Sequence, residues 1–157
     1  QEFKSKIQDD KARELAELWY VKATEVGGVP DRGVFSFEEL VPYGSNILMA
    51  KLGENGQWDT TYCGSKIVSS VGMDATGKSL DDIGTPETLK FWMDNLDKML
   101  TDHHVYMEFY TLGFATKKDM HCSLLTLPIK TTGSNIPNIQ LVYEMFTEKI
   151  LMPDRLK

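Results

Sequence analysis

Along residues 9–26 the apolar side chains Ala12, Leu15, Trp19, Ala23 and Val26 recur at intervals of three and four, and that spacing predicts an amphipathic helix. Asp9 and Asp10 stand at its start, where the helix dipole favours acids, and Gly27-Gly28 ends it. Residues 29–33 form a turn segment. Ser36, with Glu39 three residues on, makes a capping box for a short second helix, which Pro42 and Gly44 are expected to stop. The period then changes. Residues 47–52 are an apolar run of strand length, Gly53-Glu54-Asn55-Gly56 carries the Asn-Gly turn signal, and residues 58–63 alternate as the hairpin partner. Residues 64–82 hold too many turn formers for one element and predict short helices. Thr85-Pro86-Glu87 has the chemistry of a helix start, with Thr as the cap; Leu89, Trp92, Leu96 and Met99 continue as a buried stripe to about residue 100. Three strands are predicted after it, at 105–114, 120–127 and 139–146, with Pro128 opening a loop between the last two.

A hairpin followed by a three-strand meander predicts a mostly antiparallel sheet, and helices between them make the class α+β. At 157 residues with no internal repeat or linker, the chain reads as one domain: residues 1–33 an N-terminal helix and turn belonging to it, 34–147 its body, 148–157 a tail. Lys and Arg are scattered, with Lys117-Lys118 the one adjacent pair, and the net charge is −6; a nucleic-acid surface needs a clustered basic patch. No apolar run approaches the ~20 residues of a membrane span. Cys63 and Cys122 read as two thiols rather than a disulfide, which with no secretory signal gives a cytoplasmic expectation.

Several stretches could carry chemistry. Gly72-Met73-Asp74-Ala75-Thr76-Gly77-Lys78-Ser79 satisfies the phosphate-loop pattern G-x-x-x-x-G-K-[ST]. That loop needs a strand before it and a full helix after it, because the helix N-terminus holds the phosphates. Gly84 and Pro86 end any helix within about a turn of Ser79, and Asp81 and Asp82 would oppose phosphate charge. The match is read as a turn between short helices, and the chain as no enzyme. His103, His104 and His121 lack metal-ligand spacing, and no metal or other cofactor is expected. Cys63 or Cys122 as a nucleophile would need a nearby histidine, with His121 across the strands the candidate, and a lowered pKa.

Strand alternation suggests a different kind of site. If Lys51, Asp59, Glu108, Gln140 and Glu144 point outward, then Ala50, Leu52, Trp58, Tyr62, Met107, Phe109, Leu141, Tyr143 and Met145 point toward the helices. Trp92 comes down from the long helix, and His121 joins if its parity turns it inward. These side chains either fill the space or line a cavity. A cavity built from Trp58, Tyr62, Trp92, Met107, Phe109, His121 and Tyr143 suits a small apolar or aromatic ligand with one or two hydrogen-bonding groups. The stripe on the first helix must also be covered. A homodimer through Leu15, Trp19, Ala23 and Val26 is expected, with the chain's own sheet as the other candidate cover.

The element order, together with Trp19, Gly28-Val29-Pro30-Asp31-Arg32, Leu40, Pro42, Tyr62-Cys63-Gly64-Ser65 and Gly72-Met73-Asp74-Ala75-Thr76-Gly77-Lys78 with Leu80, resembles the PAS domain. Within it the chain is similar to a bacterial, largely alphaproteobacterial, PAS-like family with an N-terminal helical extension. The resemblance spans roughly residues 15–147. It departs at Cys63, where members usually carry arginine, and the Asn-Cys-Arg run of flavin photosensors is absent. The resemblance implies a five-stranded antiparallel sheet of order 2-1-5-4-3 with helices over one face. It also implies signal transduction through a small ligand or a protein partner, without catalysis. A small α+β enzyme of the cystatin-like isomerase or dehydratase type, and a pure protein-interaction module, are the competing readings.

Overall fold

Asp9 caps the first helix, α1 (Asp10–Val26), accepting the Ala12 N–H at 2.8 Å, and Gly27 ends it in the left-handed conformation with φ 73°. The computed structural model describes residues 7, 9–83, 86–102, 106–111 and 121–147. The Ser36–Glu39 capping box starts α2 (Phe37–Leu40). Pro42 does not stop the chain there: it opens a 3-10 segment, Val41–Asn46, which leads directly into β1. Glu39 also pairs with Lys22 of α1 at 3.0 Å. Its carboxyl is held below the usual value, first by the Ser36 backbone N–H and then by Lys22.

β1 (Ile47–Leu52) and β2 (Trp58–Cys63) form the expected hairpin. After it come α3 (Ser65–Val71), a 3-10 turn at Leu80–Asp82, and α4 (Pro86–Asp102). Then β3 (Tyr106–Thr111), β4 (His121–Ile129) and β5 (Ile139–Thr147) complete the sheet. The class is α+β with an antiparallel sheet, as the sequence predicts. Its strands run β2-β1-β5-β4-β3. The Thr85 cap and the outer parts of the strand expected at 105–114 lie outside the described residues.

Pro128 is not a loop opener. It lies inside β4, opposite Gln140 of β5. Proline costs a ladder bond only where a neighbour needs its missing N–H. Among the described residues, pairing with β3 reaches Thr126, two residues before Pro128.

Helices cover both faces of the sheet. On one face Leu15, Ala16 and Trp19 of α1 pack with Ile47, Leu125, Leu127, Leu141 and Tyr143 in a single buried cluster. The Trp19 indole N–H donates to the Pro128 carbonyl at 2.8 Å. The homodimer expected through this stripe is therefore corrected: Leu15 and Trp19 are buried against the chain's own sheet, Ala23 is partly so, and Val26 is 48% exposed. On the other face Ala50, Trp58 and Leu80 cluster with Leu48, Leu52, Trp92 and Met93, beside Cys122, Leu124 and Val142.

The double cover overturns the parity assigned to β5. Gln140 and Glu144, expected outside, are 5% and 6% exposed, whereas Leu141 and Tyr143 face α1, with Met145 packed against the same cluster. Polar-out alternation holds only for a sheet with one wet face.

Two predictions follow from the α1 face. Trp19→Ala removes an aromatic core anchor and should lower stability by about 3–5 kcal/mol in urea unfolding, while the sedimentation coefficient of the folded fraction stays unchanged; a shift from dimer to monomer would restore the dimer reading. Burial pushes the Tyr143 hydroxyl up to about 12, with the nearby charges of Asp9, Tyr43 and Glu14 adding to the rise. The unfolded chain releases that proton near pH ~10, so this contribution is intact below about pH 10 and is lost as pH rises toward about 12. Tyr143→Phe should flatten the alkaline fall in stability across that window, measured as urea midpoints against pH.

Candidate functional site

The hairpin contains one irregularity that shapes the site. Ala50 pairs with Thr60 but Met49 pairs with Tyr62, so Thr61 is an extra residue in β2. Such a bulge reverses the facing of everything beyond it. Trp58 and Thr60 point into the fold and are 3% and 2% exposed. Tyr62 is turned out, 43% exposed, and its hydroxyl donates to the Gly44 carbonyl at 2.9 Å. Cys63 is turned in. The next residue must be glycine, because a Cβ at Gly64 would collide with the carbonyl oxygens of Gly44 and Ser45. Its N–H donates to Ile47 at 2.8 Å, which fixes where α3 departs.

Between this sheet face and the helical side lies a cavity. Its floor is Leu48, Leu124, Thr126, Gln140, Val142 and Glu144; Cys63, Ile67 and Val71 close one side; Met73, Ala75, Leu80, Ile83 and Trp92 close the other. The space that the centre of a water-sized sphere can reach is about 60 Å³, room for roughly four to six waters at ~10–15 Å³ each on that measure. The walls are mostly apolar. The polar groups are the Cys63 thiol, the Thr126 hydroxyl, the Gln140 amide and the Glu144 carboxyl, the last three on buried residues.

Cross-strand pairing sets these groups in order. Cys63, Leu48, Val142 and Thr126 form one row across β2, β1, β5 and β4. Glu144 lies in the next row, opposite Leu124, and the Asn46 side chain donates to its backbone carbonyl at 2.9 Å. Burial pushes the Cys63 thiol up; an Ala75 backbone hydrogen bond opposes this, and the charges of Glu144 and Asp74 reinforce it. A thiol shifted in that direction stays protonated near neutral pH and is a poor nucleophile. His121 is no partner for it: β1 and β5 intervene between β2 and β4, a separation of roughly 14 Å at ~4.8 Å per strand. Cys63 and Cys122 are not joined in a disulfide.

Of the expected cavity residues, Trp92 lines the space and Trp58 is buried beside it in the same cluster. Tyr62 and Tyr143 are corrected: the first is turned out by the bulge and the second faces α1. The register sets Met107 opposite Leu125 and Phe109 opposite Ser123, the parity of the α1 face; their side chains lie outside the described residues. His121 alternates with Cys122, which belongs to the cavity face, and its side chain also lies outside the described residues, as do His103 and His104. Among the described residues no group of three or more His, Cys, Asp or Glu is placed to hold a metal. Of the residues that line the cavity, the sequence offers Cys63 only as a candidate nucleophile, alternation assigns Gln140 and Glu144 outward, and Thr126 is not singled out.

The phosphate-loop segment has other work. α3 rather than a strand precedes it, and Gly72 and Gly77 take left-handed φ values of 84° and 81°. The Asp74 side chain accepts the Thr76 N–H at 3.0 Å, a bond that heads the causes holding its carboxyl below the usual value. The Lys78 N–H donates to Ala75, and the Gly77 N–H donates to Thr60 while Thr60 donates back to Lys78. Backbone donors that would cradle a phosphate are thus used to turn the chain and cover the outer edge of β2. Ser79 then caps a three-residue 3-10 turn.

Lys78→Ala should accordingly change stability by no more than about 0.5 kcal/mol, and ATP or GTP with Mg²⁺ should leave the melting temperature unmoved. A Mg²⁺-dependent thermal shift lost in Lys78→Ala would overturn this reading.

Among the described residues no helix is long and apolar enough to cross a membrane. No protein-family model, no curated protein and no solved structure matches this chain.

Proposed function

We propose that this chain is a sensory or regulatory domain of the PAS-like kind, which takes a small, mostly apolar ligand into the cavity between its sheet and the α3–α4 side and passes the occupancy on in signal transduction. The cavity is the observation that carries the reading. Leu48, Leu124 and Val142 supply an apolar floor, Trp92 an aromatic wall, and three buried polar side chains a few fixed hydrogen-bonding points. That balance is characteristic of a small-molecule site. The strand order β2-β1-β5-β4-β3 supports the PAS-like part of the proposal, being the order the resemblance implies. The volume sets the scale: a compact ligand of few heavy atoms, well below the drug-sized pockets of ~300 Å³ and above.

Native mass spectrometry of freshly purified protein, followed by thermal shift with indole and isopentanol, tests the reading. A retained small molecule, or a rise of roughly 2–4 °C per kcal/mol of ligand stabilisation, is expected. Val71→Phe, which extends a ring into the cavity, should abolish it. No adduct and no shift with either compound would overturn the ligand-binding function.

A further inference from the structure

We propose that the chain has a second binding site, a surface groove between α2 and the β1–β2 hairpin, which takes a small apolar monocarboxylate with its carboxylate on Arg32. This site is separate from the internal cavity and does not depend on what that cavity holds.

The groove lies on the α1 face of the sheet. Its floor is Leu40, Ile47 and Met49, which belong to or pack against the core under α1. Tyr62 forms a wall. The bulge that turns this ring out of the cavity brings it here, and its bond to the Gly44 carbonyl holds it in place. Phe37 and Val41 line the same groove, 76% and 55% exposed. Scattered apolar side chains on a surface need no explanation, but apolar residues gathered around one depression mark a contact site. On the measure used for the cavity, the groove offers about 450 Å³, within the range of ~300–1,000 Å³ typical of small-molecule sites.

Arg32 decides what kind of molecule fits. It is the one charged side chain in the described lining, and arginine keeps its charge at any pH a folded protein meets. Its position is fixed twice: the backbone N–H donates to the Lys130 carbonyl at 2.9 Å, and a guanidinium N–H donates to the Phe35 carbonyl at 3.2 Å. None of the ion pairs among the described residues involves Arg32. The acids nearest in sequence, Asp31, Glu38 and Glu39, are not part of the lining, and Glu39 is already held by Ser36 and Lys22. The rest of the guanidinium fork is therefore available to a ligand, and such a fork matches a carboxylate with two parallel bonds. A single cation balances a single negative charge, which favours a monocarboxylate over a phosphate. The apolar floor and rim then take a hydrocarbon body. A cationic ligand would meet Arg32 as a repulsion.

Calorimetric titration of the wild-type chain with octanoate, octanol and octylammonium tests the site. Octanoate should bind at least about ten-fold more tightly than octanol, and octylammonium should not saturate. Val41→Asp, at an exposed position, puts a negative charge on the rim and should weaken octanoate at least ten-fold. Val71→Phe fills the internal cavity and should leave octanoate binding unchanged. Arg32→Gln should bring octanoate down to the affinity of octanol, and Arg32→Lys, which keeps the charge without the fork, should retain part of the preference. Octanoate that binds no more tightly than octanol in the wild-type chain overturns the proposal, even if the Arg32 variants fail to fold. Octanoate binding that Val71→Phe removes and Val41→Asp spares would also overturn it, by placing the ligand in the internal cavity.

Discussion

β5 is buried from Ile139 through Glu144, between β1 on one side and β4 on the other, and the rest of the architecture depends on that double burial. Its two faces serve different partners. Leu141 and Tyr143 belong to the core under α1, and Gln140, Val142 and Glu144 belong to the cavity. A strand in this position needs cover on both faces. α1 supplies one cover, and its stripe is used up in doing so: Leu15 and Ala16 are fully buried, and Trp19 reaches over the sheet to the Pro128 carbonyl. The buried carbonyl gains a donor and the indole N–H gains an acceptor, so neither polar group is left in an apolar core.

The opposite face is less completely filled, and local backbone events decide what surrounds the gap. The extra residue in β2 exchanges a large aromatic, Tyr62, for a small thiol, Cys63, at the cavity wall. Gly64 lets the chain pass against the Gly44 and Ser45 carbonyls, so that α3 starts close to the sheet. Residues 72–79 return along β2 and bond to Thr60 in both directions. This covers a strand edge that would otherwise offer unpaired backbone groups, and it brings Met73, Ala75 and Leu80 to the cavity. A segment that matches a phosphate-loop pattern in sequence thus works here as an edge cover.

The electrostatics of the cavity agree with a binding role more readily than with covalent chemistry. Burial and neighbouring acids push the Cys63 thiol up, away from the thiolate that a nucleophile requires. The acid that contributes to that shift, Glu144, is set among apolar walls and beside the tryptophan of α4.

Local sequence was enough to determine the elements. The 3–4 spacing of Ala12, Leu15 and Trp19, the Ser36–Glu39 box, the Asn55-Gly56 turn and the run from Ile47 to Leu52 all act over a few residues, and each appears where the chain predicts it. The α+β class followed from their order. Facing was not determined in this way. On β5 both parities carry apolar and polar side chains, so alternation gave Gln140 and Glu144 to solvent when α1 in fact occupies the opposite face. On β2 the one-residue bulge depends on pairing with β1, and it moved Tyr62 out and Cys63 in. On β4 Pro128 remains in the strand, opposite Gln140 of β5, where a proline read locally marks a loop. Which cover α1 would choose, its own sheet or a second chain, also lay beyond local pattern, since an apolar stripe specifies that it must be buried and not by what. Those outcomes depend on pairing and packing between elements, in the case of Trp19 and Pro128 across 109 positions, and such contacts exist only once the sheet has assembled.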